Sequence, residues 1–167
     1  ALAAYQRLLG LLGLPEALAD SLADWLDADD SPRSSGAEAA YYNTLTSPLQ
    51  PANRPLEHLS NLLRVKGYSP RLIARLEPFA TVLPELQPVN LNTAPAEVLA
   101  AIQPGLSLAS ATALLRTRQG VYFRDVADFQ NRLPEKYLPP LLVSAGTSSR
   151  DFLIHLLVQT GNSRSRV

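Results

Sequence analysis

The sequence predicts an α+β fold in which a mostly helical region is followed by a short β-sheet at the C-terminal end. Apolar residues recur with helical spacing over residues 1–26 and 56–129, whereas they alternate as in a strand over residues 152–158. The chain has 167 residues, of which 46% are hydrophobic, and this is enough to bury one sizeable core. We therefore expect a globular protein of one large or two small domains.

The formal net charge is zero, but the charges are unevenly distributed. Residues 1–40 hold seven acids and two bases, so the remainder of the chain is mildly basic. A neutral chain is not expected to bind nucleic acid or an anionic membrane through a broad charged surface. Cysteine does not occur in the sequence, which excludes a disulfide framework, a thiolate metal site and a cysteine nucleophile.

Residues 1–26 are predicted to form two amphipathic helices. Gly13 ends the first helix and Pro15 begins the second. Their apolar stripes consist of Leu2, Tyr5, Leu9 and Leu12 and of Leu18, Leu22, Trp25 and Leu26. Residues 27–55 then lose all periodicity and contain several X-Pro steps, which predicts a long irregular connection. Loops of this length are usually functional or disordered.

The helical period returns after the irregular connection, in short segments joined by short turns. The residues predicted to begin these helices are Ser69, Thr93, Ser107 and Asp125, each of a type that caps helix N-termini. Short connections require successive helices to pack as hairpins. Residues 55–77 and 93–118 are therefore predicted to be a loose repeat of one helix-hairpin-helix unit.

A strand is predicted near the C-terminus. Phe152, Ile154, Leu156 and Val158 would share one face. This strand needs a sheet, which the helical region is not expected to supply. We expect its neighbours either in residues 141–146 or in sequence outside this chain. The polar residues 161–167 are expected to fray.

An acidic cluster follows the second predicted helix. It comprises Asp24, Asp27, Asp29, Asp30 and Glu38. A carboxylate near a helix C-terminus costs about 0.3–1 kcal/mol. A hard divalent cation such as Ca²⁺ would offset this cost, because it takes roughly six to eight oxygen ligands. The spacing is not that of an EF-hand, and a solvated acidic turn with Arg33 as partial partner remains the alternative.

Several motifs occur in an order that is typical of one protein family. They are "LADWLDADDSP", "GAE", "YY", "NRPLEHLSNLLRVKGYSP", "VNLNTAPAEVLAAI" and "FRDVADF". In this order they resemble the K-type minor pseudopilin of bacterial type II secretion systems. The resemblance extends from about Leu8 to the final strand.

The resemblance implies a specific fold and a metal site. It implies a helical domain at residues 1–142, with an acidic calcium-binding loop at 27–55, inserted into a pilin-like fold to which residues 143–167 contribute strands. It also implies Ca²⁺ held by Asp27, Asp29, Asp30 and Glu38. Compared with members of that family, this sequence is expected to lack the hydrophobic N-terminal anchor helix and to be short of sheet strands on its N-terminal side. Two alanines also follow Glu38 where many relatives carry a further acid.

The resemblance also implies a non-enzymatic role. Such a protein is the tip subunit of the pseudopilus, where it caps the filament together with the minor pseudopilins I and J and supports protein export across the outer membrane. The expected location is the periplasm of a Gram-negative bacterium, with an anchor in the inner membrane through a segment not contained in this chain. Neither a nucleic-acid partner nor a stable homo-oligomer is expected.

The main alternative is a helix-hairpin-helix nucleic-acid-binding protein, because residues 89–115 are similar to that module too. The module holds a phosphate on backbone amides of a glycine-rich hairpin with bases beside it. Here the second glycine is replaced after Gly105, and Arg116 and Arg118 follow only after most of a helix. An enzyme is not expected, because His58 and His155 have no neighbouring catalytic residues in the sequence.

Overall fold

The computed structural model describes residues 1–134, 138–152, 157–160 and 163–166, the last two segments by their backbone. The helices are α1 (Leu2–Leu11), α2 (Leu18–Leu26), α3 (Ala39–Tyr42), a 3-10 helix (Leu59–Arg64), α4 (Pro70–Leu76), α5 (Ala96–Ile102), α6 (Leu108–Gly120) and α7 (Val126–Asn131). The strands are β1 (Val89–Asn90), β2 (Ala145–Gly146), β3 (Leu157–Thr160) and β4 (Ser163–Arg166). Over the described ranges, no helix has the length and apolar character that crossing a bilayer requires. The predicted α+β class is confirmed, in that the described secondary structure is mostly helical with short β-strands.

Two hydrophobic cores organise the helices. The first core lies among α1 to α4 and includes Leu9, Leu18, Trp25, Tyr42, Leu62 and Leu76. The second lies among α5 to α7 and includes Leu91, Leu99, Leu114, Phe123 and Phe129. Helix α1 serves both, because Ala4 belongs to the second core and Leu9 to the first. The predicted stripe of Leu2, Tyr5, Leu9 and Leu12 packs in the first core, whereas the second core takes Ala4 and Leu11, which were not assigned to the stripe.

The two predicted hairpins turn in the same way. Gly67 and Gly105 both have φ near +85°, a left-handed conformation that favours glycine. Two residues later, Ser69 and Ser107 cap the next helix through their hydroxyl oxygens. The hairpins differ in their first element, because Leu59–Arg64 is a 3-10 helix where an α-helix was predicted.

The short sheet between β1 and β2 was not predicted. The two strands run parallel, with Val89 opposite Ala145 and Asn90 opposite Gly146. Although β1 lies in the helical region, between α4 and α5, it pairs with β2 and not with β3, whose partner in the described part is β4. The expectation that the C-terminal strand finds its neighbour in residues 141–146 or outside the chain is therefore wrong for β3. Two residues are too few for an alternating pattern to be visible in the sequence. The pairing joins the helical region to residues beyond 142.

The predicted C-terminal strand, residues 152–158, overlaps strand β3 at residues 157 and 158. Strand β3 covers Leu157–Thr160, while Phe152 is exposed and outside any strand. Residues 153–156, on which the predicted alternation depends, lie outside the described part. The expectation that the tail frays is wrong for Ser163–Arg166, which pair with β3 in an antiparallel ladder. Backbone hydrogen bonds form this ladder whatever the polarity of the side chains.

Candidate metal centre

Two acids of helix α2 hold the chain where it returns after the helix. Asp20 accepts hydrogen bonds at its Oδ2 from the Ser35 amide (3.3 Å) and the Ser34 hydroxyl (3.2 Å). One turn later, Asp24 is fully buried and accepts a hydrogen bond at its Oδ2 from the Arg33 amide (3.0 Å). These two carboxylates therefore fix the backbone of residues 33–35. The sequence pattern did not indicate this role for either carboxylate.

The guanidinium of Arg33 bridges two carboxylates. Its Nη1 lies 2.6 Å from Asp24 Oδ1 and 2.6 Å from Asp27 Oδ2. The hydrogen bonds to Asp27 and Asp24 raise the pKa of Arg33 above its ordinary value. Arg33 thus neutralises part of the acidic cluster, as the solvated-turn alternative expected. It leaves the rest without a positive partner among the described residues.

Three of the four predicted ligands come together. Asp27, Asp29 and Glu38 each place a carboxylate oxygen within 4.8 Å of the others. Glu38 is only 3% exposed, and neither of its carboxylate oxygens has a hydrogen-bond partner. Oδ1 of Asp27 is likewise buried and unpartnered. Burial raises the pKa of Glu38, and repulsion from Asp24 and Asp27 raises it further.

This oxygen set fits a hard cation. A buried carboxylate without a partner is costly, and calcium prefers several carboxylate oxygens held on irregular backbone. The unpartnered oxygens of Asp27 and Glu38 therefore match the chemistry of the ion that the sequence suggested. Asp30 does not join the three; it is exposed and lines an open pocket beside Glu38 and Tyr41.

Close packing fixes the residues around the cluster. A Cβ atom at Gly36 would lie 1.7 Å from Asp24 Oδ2, so only glycine fits there without a shift. Lys66 donates from its Nζ to the Gly36 carbonyl (2.8 Å) and lies 5.0 Å from the centre of the Tyr41 ring. Tyr42 is fully buried, packs edge-on against Trp25 and accepts a hydrogen bond from the Lys66 amide (3.0 Å). Nothing in the sequence signalled the role of Lys66.

Two basic residues, Arg116 and Arg118, were considered for nucleic-acid binding. Arg118 donates from Nη1 to the carbonyls of Leu91 and Ala94, both at 2.7 Å, and burial lowers its pKa. Its guanidinium is therefore occupied by main-chain carbonyls and is not free to bind a phosphate. Arg116 is exposed. The hairpin geometry of α5 and α6 is accordingly explained by packing.

The histidines offer no catalytic arrangement in the described part of the chain. His58 is exposed and precedes the 3-10 helix, where its amide is held by the side-chain oxygen of Asn61 (2.9 Å). His155 lies outside the described residues.

Known proteins are similar to this chain in sequence. Two family models described as "Type II secretion system (T2SS), protein K" match residues 1–85 and 89–143. The chain is 37% identical to type II secretion system protein K of Pseudomonas aeruginosa, over 96% of this chain and 49% of the relative. It is 33% identical to the protein of the same name from Aeromonas hydrophila, over 90% of this chain and 48% of the relative.

A solved structure is similar as well. The match is a chain in the crystal structure of the GspK-GspI-GspJ complex from enterotoxigenic Escherichia coli, with a TM-score of 0.66 and 29% sequence identity. It covers 78% of this chain and 48% of that one. The present chain thus spans about half the length of the relatives it matches.

Proposed function

The chain belongs to the type II secretion system protein K family, and from this we propose that it acts as a non-enzymatic minor pseudopilin that caps the pseudopilus. In this role it assembles with the minor pseudopilins I and J, one copy of each, and supports export of proteins across the outer membrane. It works in the periplasm of a Gram-negative bacterium, and the full protein is anchored in the inner membrane.

The observation that carries the proposal is the structural likeness to a chain of the GspK-GspI-GspJ complex. That complex contains the two partners proposed here. The position at the tip rests on size: a helical domain of residues 1–142 inserted into a pilin-like fold is much wider than the fold that carries it. Such a subunit would clash if stacked within a filament, whereas at the end of the filament it has room.

We further propose that Asp27, Asp29 and Glu38 hold a calcium ion, with Asp30 beside them. The support is the orphaned carboxylate oxygens of Asp27 and Glu38, which are buried without hydrogen-bond partners. The ion supplies positive charge to a segment that connects α2 to α3. Asp20 and Asp24 fix the backbone of the segment after α2 by accepting hydrogen bonds from the amides of Ser35 and Arg33.

Size-exclusion chromatography tests the partner assignment. The chain is mixed with the soluble domains of its cognate I and J pseudopilins, with calcium present throughout. A peak containing all three chains in equal amounts is expected, and light scattering gives its mass. Three separate peaks at micromolar concentrations would contradict the proposal.

Metal analysis tests the calcium assignment independently of the partners. The chain is dialysed against calcium and then against metal-free buffer, and bound metal is measured by mass spectrometry. Retained calcium at about one equivalent is expected for the wild type and is lost in the double variant Asp27→Asn, Glu38→Gln. The variant Glu57→Gln, whose carboxylate lies at an exposed ion pair with Arg54, is the control that should retain calcium.

A further inference from the structure

We propose that Arg33 is the positioning residue of the acidic cluster. Its guanidinium holds the carboxylate of Asp27 by Oδ2 and thereby sets Oδ1 toward Asp29 and Glu38 before a cation binds. This inference rests on the calcium site proposed above. It adds a residue that is itself a cation and would not be counted among the ligands.

The position of Arg33 is fixed by one buried side chain. Asp24 is fully buried in α2, and both of its oxygens are used by Arg33. Oδ1 binds the guanidinium at 2.6 Å, and Oδ2 binds the backbone amide at 3.0 Å. Because the main chain and the side chain of Arg33 are both tied to the same carboxylate, the guanidinium has little freedom to move.

The same guanidinium nitrogen then orients Asp27. Nη1 of Arg33 lies 2.6 Å from Asp27 Oδ2. Asp27 caps the end of α2 with an extended backbone (φ −78°, ψ 172°), so the helix itself does not fix its side chain. With Oδ2 held, Oδ1 is left buried without a partner, and Asp27 stands in the cluster with Asp29 and Glu38.

Two accounts of Arg33 predict opposite effects on calcium binding. If Arg33 were only a positive charge near the site, it would repel a cation, and its removal would strengthen binding. If it positions Asp27, its removal lets the carboxylate swing free, and binding weakens. Residues that orient metal ligands typically change affinity roughly 10- to 100-fold when replaced. The sign of the change therefore decides between the two accounts.

Isothermal titration with calcium chloride provides the test. Wild type, Arg33→Gln, Arg33→Lys and the control Arg54→Gln are titrated at pH 7 and fixed ionic strength. Arg33→Gln is expected to raise the Kd for calcium roughly 10- to 100-fold. Arg33→Lys keeps the charge but loses the planar fork and reach of arginine, so it should also bind more weakly than wild type. Arg54→Gln should match the wild type, since Arg54 lies in an exposed pair with Glu57.

The outcomes separate this inference from the proposed site. A wild type that binds no calcium overturns the calcium site and, with it, this inference. A wild type that binds, together with an Arg33→Gln variant that binds as tightly or more tightly, overturns the inference alone. If Arg33→Gln is unfolded without calcium, Arg33→Lys, which keeps the positive charge, takes its place in the comparison with the wild type. Weaker calcium binding by folded Arg33→Lys supports positioning, and equal or tighter binding contradicts it.

Discussion

Asp27 and Glu38 bring carboxylate oxygens within 4.8 Å of each other, and three of their four oxygens are buried without a hydrogen-bond partner. An ionised pair of this kind is destabilising unless a cation lies between the two groups. The stability of the chain should therefore depend on calcium, and removal of one of these charges should have opposite effects with and without the ion.

The first prediction concerns Glu38→Gln. In chelator the variant should melt at the same temperature as the wild type or higher, because a buried repulsive charge is gone. In calcium the order reverses, because only the wild type gains binding energy, about 2.7 kcal/mol when calcium is 100-fold above its Kd. Thermal melts in both conditions give the comparison, with Glu57→Gln as the control. Equal calcium-induced shifts in wild type and Glu38→Gln would contradict the assignment of Glu38.

The second prediction concerns the close approach at Gly36. Gly36→Ala places a Cβ against Asp24 Oδ2 and should lower the free energy of unfolding by about 1–3 kcal/mol, as overpacking does. Gly120→Ala is the matched control, because a Cβ there meets nothing within 4 Å at the end of α6. It should stabilise the chain by about 0.5–1 kcal/mol. Urea denaturation measures both, and a harmless Gly36→Ala would show that the Asp24 contact can relax.

The third prediction concerns acid stability. Hydrogen bonds from the Arg124 amide and from Arg132 hold the pKa of Asp128 below its ordinary value of 3.8. The unfolded chain therefore takes up this proton first as the pH falls. The stabilisation from Asp128 is complete above pH 3.8 and is lost as the pH falls through the lowered pKa.

The variant Asp128→Asn isolates this contribution. Melting temperatures of wild type and variant should differ most near neutral pH and converge as the pH falls below 3.8. Glu85→Gln, at an exposed position, should follow the wild type at every pH. A constant difference between wild type and Asp128→Asn down to the lowest pH would mean that the ionised carboxylate contributes nothing.

The fourth prediction compares two arginines of α6. Arg118→Met removes the hydrogen bonds to the carbonyls of Leu91 and Ala94 and should cost about 2–4 kcal/mol of unfolding free energy, since a hydrogen bond to a charged group contributes about 1.5–3 kcal/mol. Arg116→Met, at an exposed position, should change stability by less than about 0.5 kcal/mol. Equal effects in urea denaturation would argue against a bracing role for Arg118.

The sequence predicted three of the four helix caps correctly; Thr93 does not cap a helix, because Pro95 is the N-cap of α5 and no side chain caps that helix. Ser69, Ser107 and Asp125 all cap helices through their side chains, at the positions the sequence indicated. It did not show the strand pair Val89–Asn90 and Ala145–Gly146, because the segments that pair are too short to carry a pattern. It also missed the single turn of helix at Ala39–Tyr42 for the same reason.

The candidate site was predictable in part. Asp27, Asp29 and Glu38 could be selected because their residue types and order suit an oxygen-rich cation site. The sequence did not show which acids bind the backbone and which form the cluster, because this depends on which carboxylates face residues 33–35. Both carboxylate oxygens of Asp24 accept hydrogen bonds from Arg33, whereas Asp30 lines an open pocket, although both acids lie in the same acidic segment.

Helix α1 has a consequence for how the molecule responds to stress, because Ala4 and Leu9 belong to different cores. If either core unfolds, apolar residues of α1 become exposed to water, and the other core still needs α1 for its own packing. The stabilities of the two cores are therefore coupled through α1. We expect both cores to unfold together in a single cooperative transition.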